Sequence, residues 1–196
     1  MSLKLTNLTK RFGDKCILQD INYEFSDTGV YHIAGISGAG KTTLLNLITG
    51  IDKNYDGEIL GGGHKHISYA FQEHRLFDTA SALENALVSY QRPTEHEIAR
   101  AKELFVRLGF AEKDMHLKAK QLSGGMKQRT SIIRALMKNA SIYIFDEPTK
   151  ELNAEIVSEF YKIIDELGEK SLVLLVSHEH VPDKYTKVDF FANNTN

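Results

Sequence analysis

The sequence predicts an α/β domain built on a mainly parallel sheet, with strands concentrated near its start and a helical stretch inserted before its last quarter. Three observations carry this. The apolar runs 142–145 and 172–176 flank a helical pattern over 154–167, where Ile156, Val157, Phe160, Ile163, Ile164 and Leu167 share one face. Strands separated by a helix of that length imply right-handed crossovers and a sheet with a buried, apolar centre. A glycine-rich loop joins a further apolar run, 30–34, to an apolar-periodic helix over 41–50. From residue 80 to residue 139 the spacing is helical, through Leu83, Ala86, Leu87 and Tyr90, then Ile98, Ala101, Leu104, Phe105 and Leu108, closing at Gly109.

Taken in order, residues 3–8 read as a strand, residues 21–25 as a second after an Asp-rich turn, and residues 30–34 as a third after Asp27-Thr28-Gly29. Residues 58–60 and 67–71 read as strands around the Gly61-Gly62-Gly63 turn, and 188–192 as the last. No internal repeat, low-complexity tract or linker divides the chain, so its 196 residues form one folding unit. A formal charge of −2 and a hydrophobic share of 42% describe a globular chain, exclude gross disorder and give no bulk attraction to nucleic acid. No apolar run approaches the roughly 20 residues of a bilayer span, and no secretory apolar segment opens the chain. With Cys16 as the single cysteine, a cytosolic location is expected, and any membrane role must run through a partner.

Four segments carry chemistry. Gly35-Ile36-Ser37-Gly38-Ala39-Gly40-Lys41-Thr42, followed by Thr43, has the spacing of a phosphate-binding loop. Its glycines let successive N–H groups face phosphate oxygens at the positive end of the next helix. Lys41 then reaches the β- and γ-phosphates and Thr42 ligates Mg²⁺. The run 142–145 ends in Asp146-Glu147-Pro148; if strand geometry persists, the two acids point to opposite faces, one toward a metal and one toward an attacking water. His178 follows the run 172–177, so three strand exits converge on the crevice where ligands sit in an open parallel sheet. The remaining histidines read as surface or core residues, and the His64-Lys65-His66 and His178-Glu179-His180 spacings lack the further ligands of a zinc site. Finally, Gln121-Leu122-Ser123-Gly124-Gly125-Met126-Lys127-Gln128-Arg129 opens a helix with Ser123 as N-cap and two glycines in its first turn. Alone, that segment is either an ordinary helix start or a second anion-binding helix end.

Together these segments resemble the ATP-binding cassette (ABC) family along nearly the whole chain. Residues 35–42 are similar to its Walker A loop, Gln72 to its Q-loop glutamine, 122–126 to its signature, 142–146 to its Walker B strand, Glu147 to its catalytic glutamate and His178 to its switch histidine. Phe12 stands where the family places an aromatic that stacks on adenine. The resemblance implies a P-loop NTPase core formed by 1–75 and 140–196, with an N-terminal antiparallel β subdomain, and a helical subdomain over 76–139. It implies ATP and Mg²⁺ as cofactors. It also implies a head-to-tail dimer with a second nucleotide-binding subunit, each ATP lying between one Walker A loop and the other subunit's Ser123, Gly124 and Gly125. In that scheme Gln72 senses the metal, Asp146 holds it largely through water, and His178 touches the γ-phosphate. Membrane-spanning permease subunits would dock on residues 72–122, keeping the chain at the inner face of the cell membrane, with a solute-binding protein as a further partner of an importer.

Leu-Ser-Gly-Gly-Met, with Phe71-Gln72-Glu73 and Leu83-Glu84-Asn85, is most similar to the importer branch for nitrate, sulfonates, taurine and related solutes. The segment Lys150-Glu151-Leu152-Asn153 departs from the family's usual Ser-Ala-Leu-Asp, although Asn153 can still cap a helix. Other ATPases of the superfamily fit less well. A chromosome or DNA-repair type needs a long coiled coil, and a translation-associated type needs two cassettes and a basic linker. A small-molecule phosphotransferase leaves Ser123-Gly124-Gly125 without a purpose.

Overall fold

The computed structural model describes residues 2–63 and 66–191. His64 and Lys65, part of the histidine spacing noted above, and Ala192, the end of the expected last strand, lie outside the described residues. Two sheets organise the chain. Strands β1 (Lys4–Phe12), β2 (Lys15–Glu24) and β4 (Asp56–Leu60) form an antiparallel sheet in the order β2-β1-β4. Strands β3 (Gly29–Ala34), β5 (Ile67–Ala70), β6 (Ile142–Asp146), β7 (Leu172–Val176) and β8 (Thr186–Asp189) form a parallel sheet in the order β5-β6-β7-β3-β8.

Helix α1 (Lys41–Thr49) follows the glycine-rich loop, and α5 (Ala154–Gly168) is the crossover between β6 and β7. Between β5 and β6 lie the short α2 (Ala82–Ala86), α3 (Glu95–Arg107), two 3₁₀ turns and α4 (Gly124–Met137). Local chemistry fixes their starts. Ser81 with Glu84 and Thr94 with Glu97 form reciprocal capping boxes, and Ser123 and Asn153 accept N–H bonds from Met126 and Ile156.

The alternation along β6 and β7 divides the interior in two. Ile142, Ile144, Leu172, Leu174 and Val176 join Leu44, Leu45, Leu47, Leu3, Leu5 and Leu8 in a core that wedges α1 between the sheets. Tyr143, Phe145, Val173 and Leu175 point the other way, into a core with α2 to α5. Every residue of both strands is buried because both faces are covered. The next side chain on the α1 face after Ile142 and Ile144 is Asp146, and that step delivers a carboxylate to the start of α1.

Three expectations need correction. The Asp-rich segment before residue 21 is not a turn. It lies inside β2, where Asp20 adopts a left-handed backbone (φ 48°) at an irregularity, and the reversal occurs at Gly13-Asp14. The last strand runs over Thr186–Asp189, not 188–192. Strand geometry also stops at Asp146, because Glu147 turns left-handed (φ 52°). A non-glycine residue in that region costs of order 1–2 kcal/mol, and a following proline disfavours helical backbone further. Glu147 is therefore aimed by a turn, not by strand alternation.

Candidate active site

The ends of β3, β5, β6 and β7 all open on one side of the parallel sheet, around a cavity of about 560 Å³. Ser37, Gly38, Gly40, Lys41, Thr42 and Thr43 line it from the loop and α1, facing Gln72, Asp146, Glu147 and His178. Gly40, the N-cap of α1, has φ 110°, and a Cβ there would lie 2.5 Å from Ile17 Cγ2, so only glycine fits the turn. Among the described residues α1 is the one α-helix without a side-chain cap, and its first turn holds no acid. Its leading N–H groups are left for an anion.

Lys41 is buried, and its ammonium donates to the carbonyls of Gly35 (2.7 Å) and Ile36 (2.9 Å), with His178 Nε2 at 3.3 Å. Burial pushes its pKa down, opposed by the negative charges of Glu147, Asp146 and Asp189. Asp146 is 2% exposed, and its Oδ2 accepts from Thr42 Oγ1 (3.1 Å) and Tyr69 Oη (3.2 Å). Burial raises the Asp146 pKa, while those two donors pull it back. Glu147 is held on both sides: its N–H donates to Val176 O (2.8 Å), and its Oε2 accepts from His178 N (3.1 Å). Its other oxygen lies 3.6 Å from His178 Nε2.

Thr42 and Asp146 are the pair that would hold Mg²⁺, and their chemistry fits. Both offer hard oxygen donors directly at the loop. Among the described residues no group of three or more His, Cys, Asp or Glu is placed to hold a metal. Mg²⁺ is usually held by one or two protein oxygens together with substrate phosphates and water.

Not every expected residue reaches this cavity. Ser123, Gly124 and Gly125 are absent from its lining, and Phe12 is 54% exposed, with Lys10 Nζ over its ring, 4.6 Å from the centroid. Gly35 and Ala39 shape the loop without lining the cavity; Gly35 presents its carbonyl to Lys41. Sequence reasoning missed Tyr69, which stacks on Phe71 (3.9 Å between centroids) and shares Asp146 with Thr42. It also missed His32, whose Nε2 lies 3.3 Å from Ser177 O, just before His178. A polar residue facing inward from a buried strand was the available signal in both cases.

The profile of the ABC transporter family matches residues 18–150. This chain is a member of the ABC transporter family. The cassette is 33% identical to the L-cystine transport system ATP-binding protein TcyN of Escherichia coli, over 91% of this chain and 80% of that protein. It is 32% identical to the lipoprotein-releasing system ATP-binding protein LolD of Bacteroides fragilis, covering 94% of each. Against the macrolide export ATP-binding/permease protein MacB of Burkholderia lata, at 32% identity, it spans 30% of the longer chain.

Among solved structures, the dimeric ABC transporter cassette MJ0796 superposes with a TM-score of 0.78 at 29% identity, covering 90% of this chain and 88% of that one. The same cassette in a post-hydrolysis state bound to ADP and Pi gives 0.77 at 28% identity. The ABC cassette described here is thus an ATP-binding, ATP-hydrolysing transporter subunit. The relatives found are ATPases of cystine, lipoprotein and macrolide systems rather than members of the nitrate, sulfonate and taurine branch. The branch expectation therefore widens to the family.

Proposed function

We propose that the chain supplies half of each of two reaction centres in a head-to-tail homodimer, and that ATP-driven closure of this dimer powers a membrane permease. The observation that carries this is the separation of the two anion-binding helix ends. The α1 end lines the phosphate cavity, whereas Ser123, Gly124 and Gly125 at the α4 end do not. A second copy is needed to bring a signature onto the γ-phosphate, and the dimeric form of the related cassette supports that arrangement.

The geometry supports a role for each residue in this reading. Lys41 exchanges its loop carbonyls for β- and γ-phosphate oxygens. Thr42 and Asp146, with Gln72, would hold Mg²⁺, which would supply positive charge against the phosphates. Phe12 offers an exposed ring to adenine. Glu147 orients a water for in-line attack on the γ-phosphorus and receives its proton as the bond to the bridging oxygen breaks, leaving ADP and phosphate. His178, already tied to Glu147, contacts the γ-phosphate. Positioning and charge stabilisation provide most of the rate.

The permease would meet a cleft of about 260 Å³ between core and helical insertion, lined by Ile51, Phe71, Val88, Arg134 and Lys138. Ile51 and Val88 are both 48% exposed. No helix of the described residues is long and apolar enough to cross a membrane; in this reading the permease holds the subunit at the cytoplasmic face. For the solute, the residue pattern around Met126 and Gln72 favours import of nitrate, sulfonates, taurine or related solutes, with a solute-binding protein as further partner. Flux through vesicles carrying the co-purifying permease tests that choice.

The deciding experiment is Glu147→Gln with ATP. Light scattering should show a stable dimer with nucleotide trapped, and turnover should fall by about 10²-fold or more. Unchanged turnover would exclude Glu147 as the base. Lys41→Ala should abolish ATP binding in a titration.

A further inference from the structure

Gln128 lies one helical turn beyond the signature glycines and is 3% exposed. Its Nε2 donates to Pro148 O at 3.0 Å and to Glu147 O at 3.4 Å, so both amide hydrogens meet the backbone of the turn that aims the catalytic acid. Glu147 is the residue in the left-handed region there. Its N–H is fixed to β7 through Val176 O, and its carbonyl is held to α4 through Gln128.

A second contact lies one turn higher. A Cβ on Gly125 would fall 2.8 Å from Glu151 O, and one on Gly124 would fall 2.2 Å from Glu151 Oε2. The start of α4 therefore touches residues 147–151 at two heights, by close backbone approach at its first turn and by hydrogen bonds at its second.

We infer that Gln128 is a positioning residue which ties the signature end of α4 to the Glu147-Pro148 turn of the same chain. Movement of α4 as its glycines engage the partner's nucleotide then re-aims the Glu147 carboxylate in the chain's own site. This deepens the dimer reading above and rests on it. A buried amide pulling on two consecutive carbonyls is a stiff link, because water cannot replace a bond broken there. A static strut for α4 alone would have no need to end on the carbonyl of the catalytic acid.

The test is a double-mutant cycle on the full chain, with Gln128→Met and Glu147→Gln, reading ATP turnover, KM and nucleotide affinity. Gln128→Met keeps shape and burial but removes both donors. It should lower kcat about tenfold with KM and ATP affinity within about twofold. In the Glu147→Gln background it should leave residual turnover and ATP-driven dimer formation unchanged. Gln128→Asn, which keeps the amide on a shorter arm, should recover part of kcat and is the fallback if the Met variant fails to fold. Additive losses in the cycle, or a Gln128→Met turnover equal to the parent, would overturn the inference while leaving the role of Glu147 intact. Turnover unaffected by Glu147→Gln itself would instead refute the underlying reading.

Discussion

His32 shows how a residue outside every motif can serve the site. It sits on β3 with its ring against Ser177 O, and burial lowers its pKa below the ordinary 6.5, helped by Lys187 and Lys41 and opposed by Ser177 O and Glu147. The unfolded chain binds this proton near pH 6.5 and the folded chain only at lower pH. Stability is thus fully present above pH 6.5 and falls as pH drops toward the folded value. Thermal melts from pH 7.5 to 5.5 should show a loss that His32→Gln flattens. Tyr69→Phe removes one of two donors to a buried carboxylate, at a cost of about 1.5–3 kcal/mol. Its melting temperature should fall while Thr42 still holds Asp146. Lys41, Thr42, Asp146 and Glu147, which line the cavity, were readable as candidates because their neighbours in sequence form recognisable motifs. Tyr69, His32 and Gln128 were not, because their partners lie 77, 145 and 20 positions away and only the folded chain brings them into reach.

Among the elements, the helices were the more legible because their signals are local. Asn153 read as a cap despite the unusual sequence around it, and its Oδ1 does accept from Ile156 N at 3.0 Å. Asn153→Ala should cost about 1 kcal/mol, measurable by urea unfolding. The antiparallel sheet was harder to read. Asn7 and Asp20 are left-handed inside strands, and turn-forming residues at such irregularities look like chain reversals until a pairing partner is known. Gly125 in α4 also owes its identity to tertiary contact, since Glu151 O crowds it from another segment. Gly125→Ala must displace backbone, so it should destabilise the chain well beyond the loss expected from helix propensity, where alanine is favoured. A melt equal to the parent would exclude that crowding.

At the scale of the whole molecule, an ion cluster adds to the apolar contacts between the helical insertion and the core. Arg107 at the end of α3 bonds Glu159 (2.7 Å) and pairs in two-pronged fashion with Glu166 (3.0 and 2.8 Å), both on α5. Arg107 holds both carboxyls below their usual 4.5. Their contribution is therefore present above pH 4.5 and lost as acid protonates them in the folded chain. Because Glu166 is 62% exposed, the cluster is partly screened. Arg107→Ala should lower stability by about 1 kcal/mol, less at high salt, as a melt series in NaCl would show. The alternation of strands and helices made the overall architecture readable. That Arg107 would anchor the insertion was not, since charges on a helix surface give no sign of which neighbour they face.

The placement of Asp146 on the α1 side of β6 is a matter of parity. Inserting or deleting one residue within 142–145 would swap odd for even, burying the acid among Phe160 and Ile164 and turning Phe145 or its neighbour toward Thr42. Such a length change would leave Thr42 and Asp146 both in the chain, yet it should silence the cassette as completely as Asp146→Ala. A two-residue insertion would restore the facing but push the acid past the mouth of the cavity, and a two-residue deletion would draw it back into the sheet. The strand is therefore a counted spacer, tolerant in composition and intolerant in length.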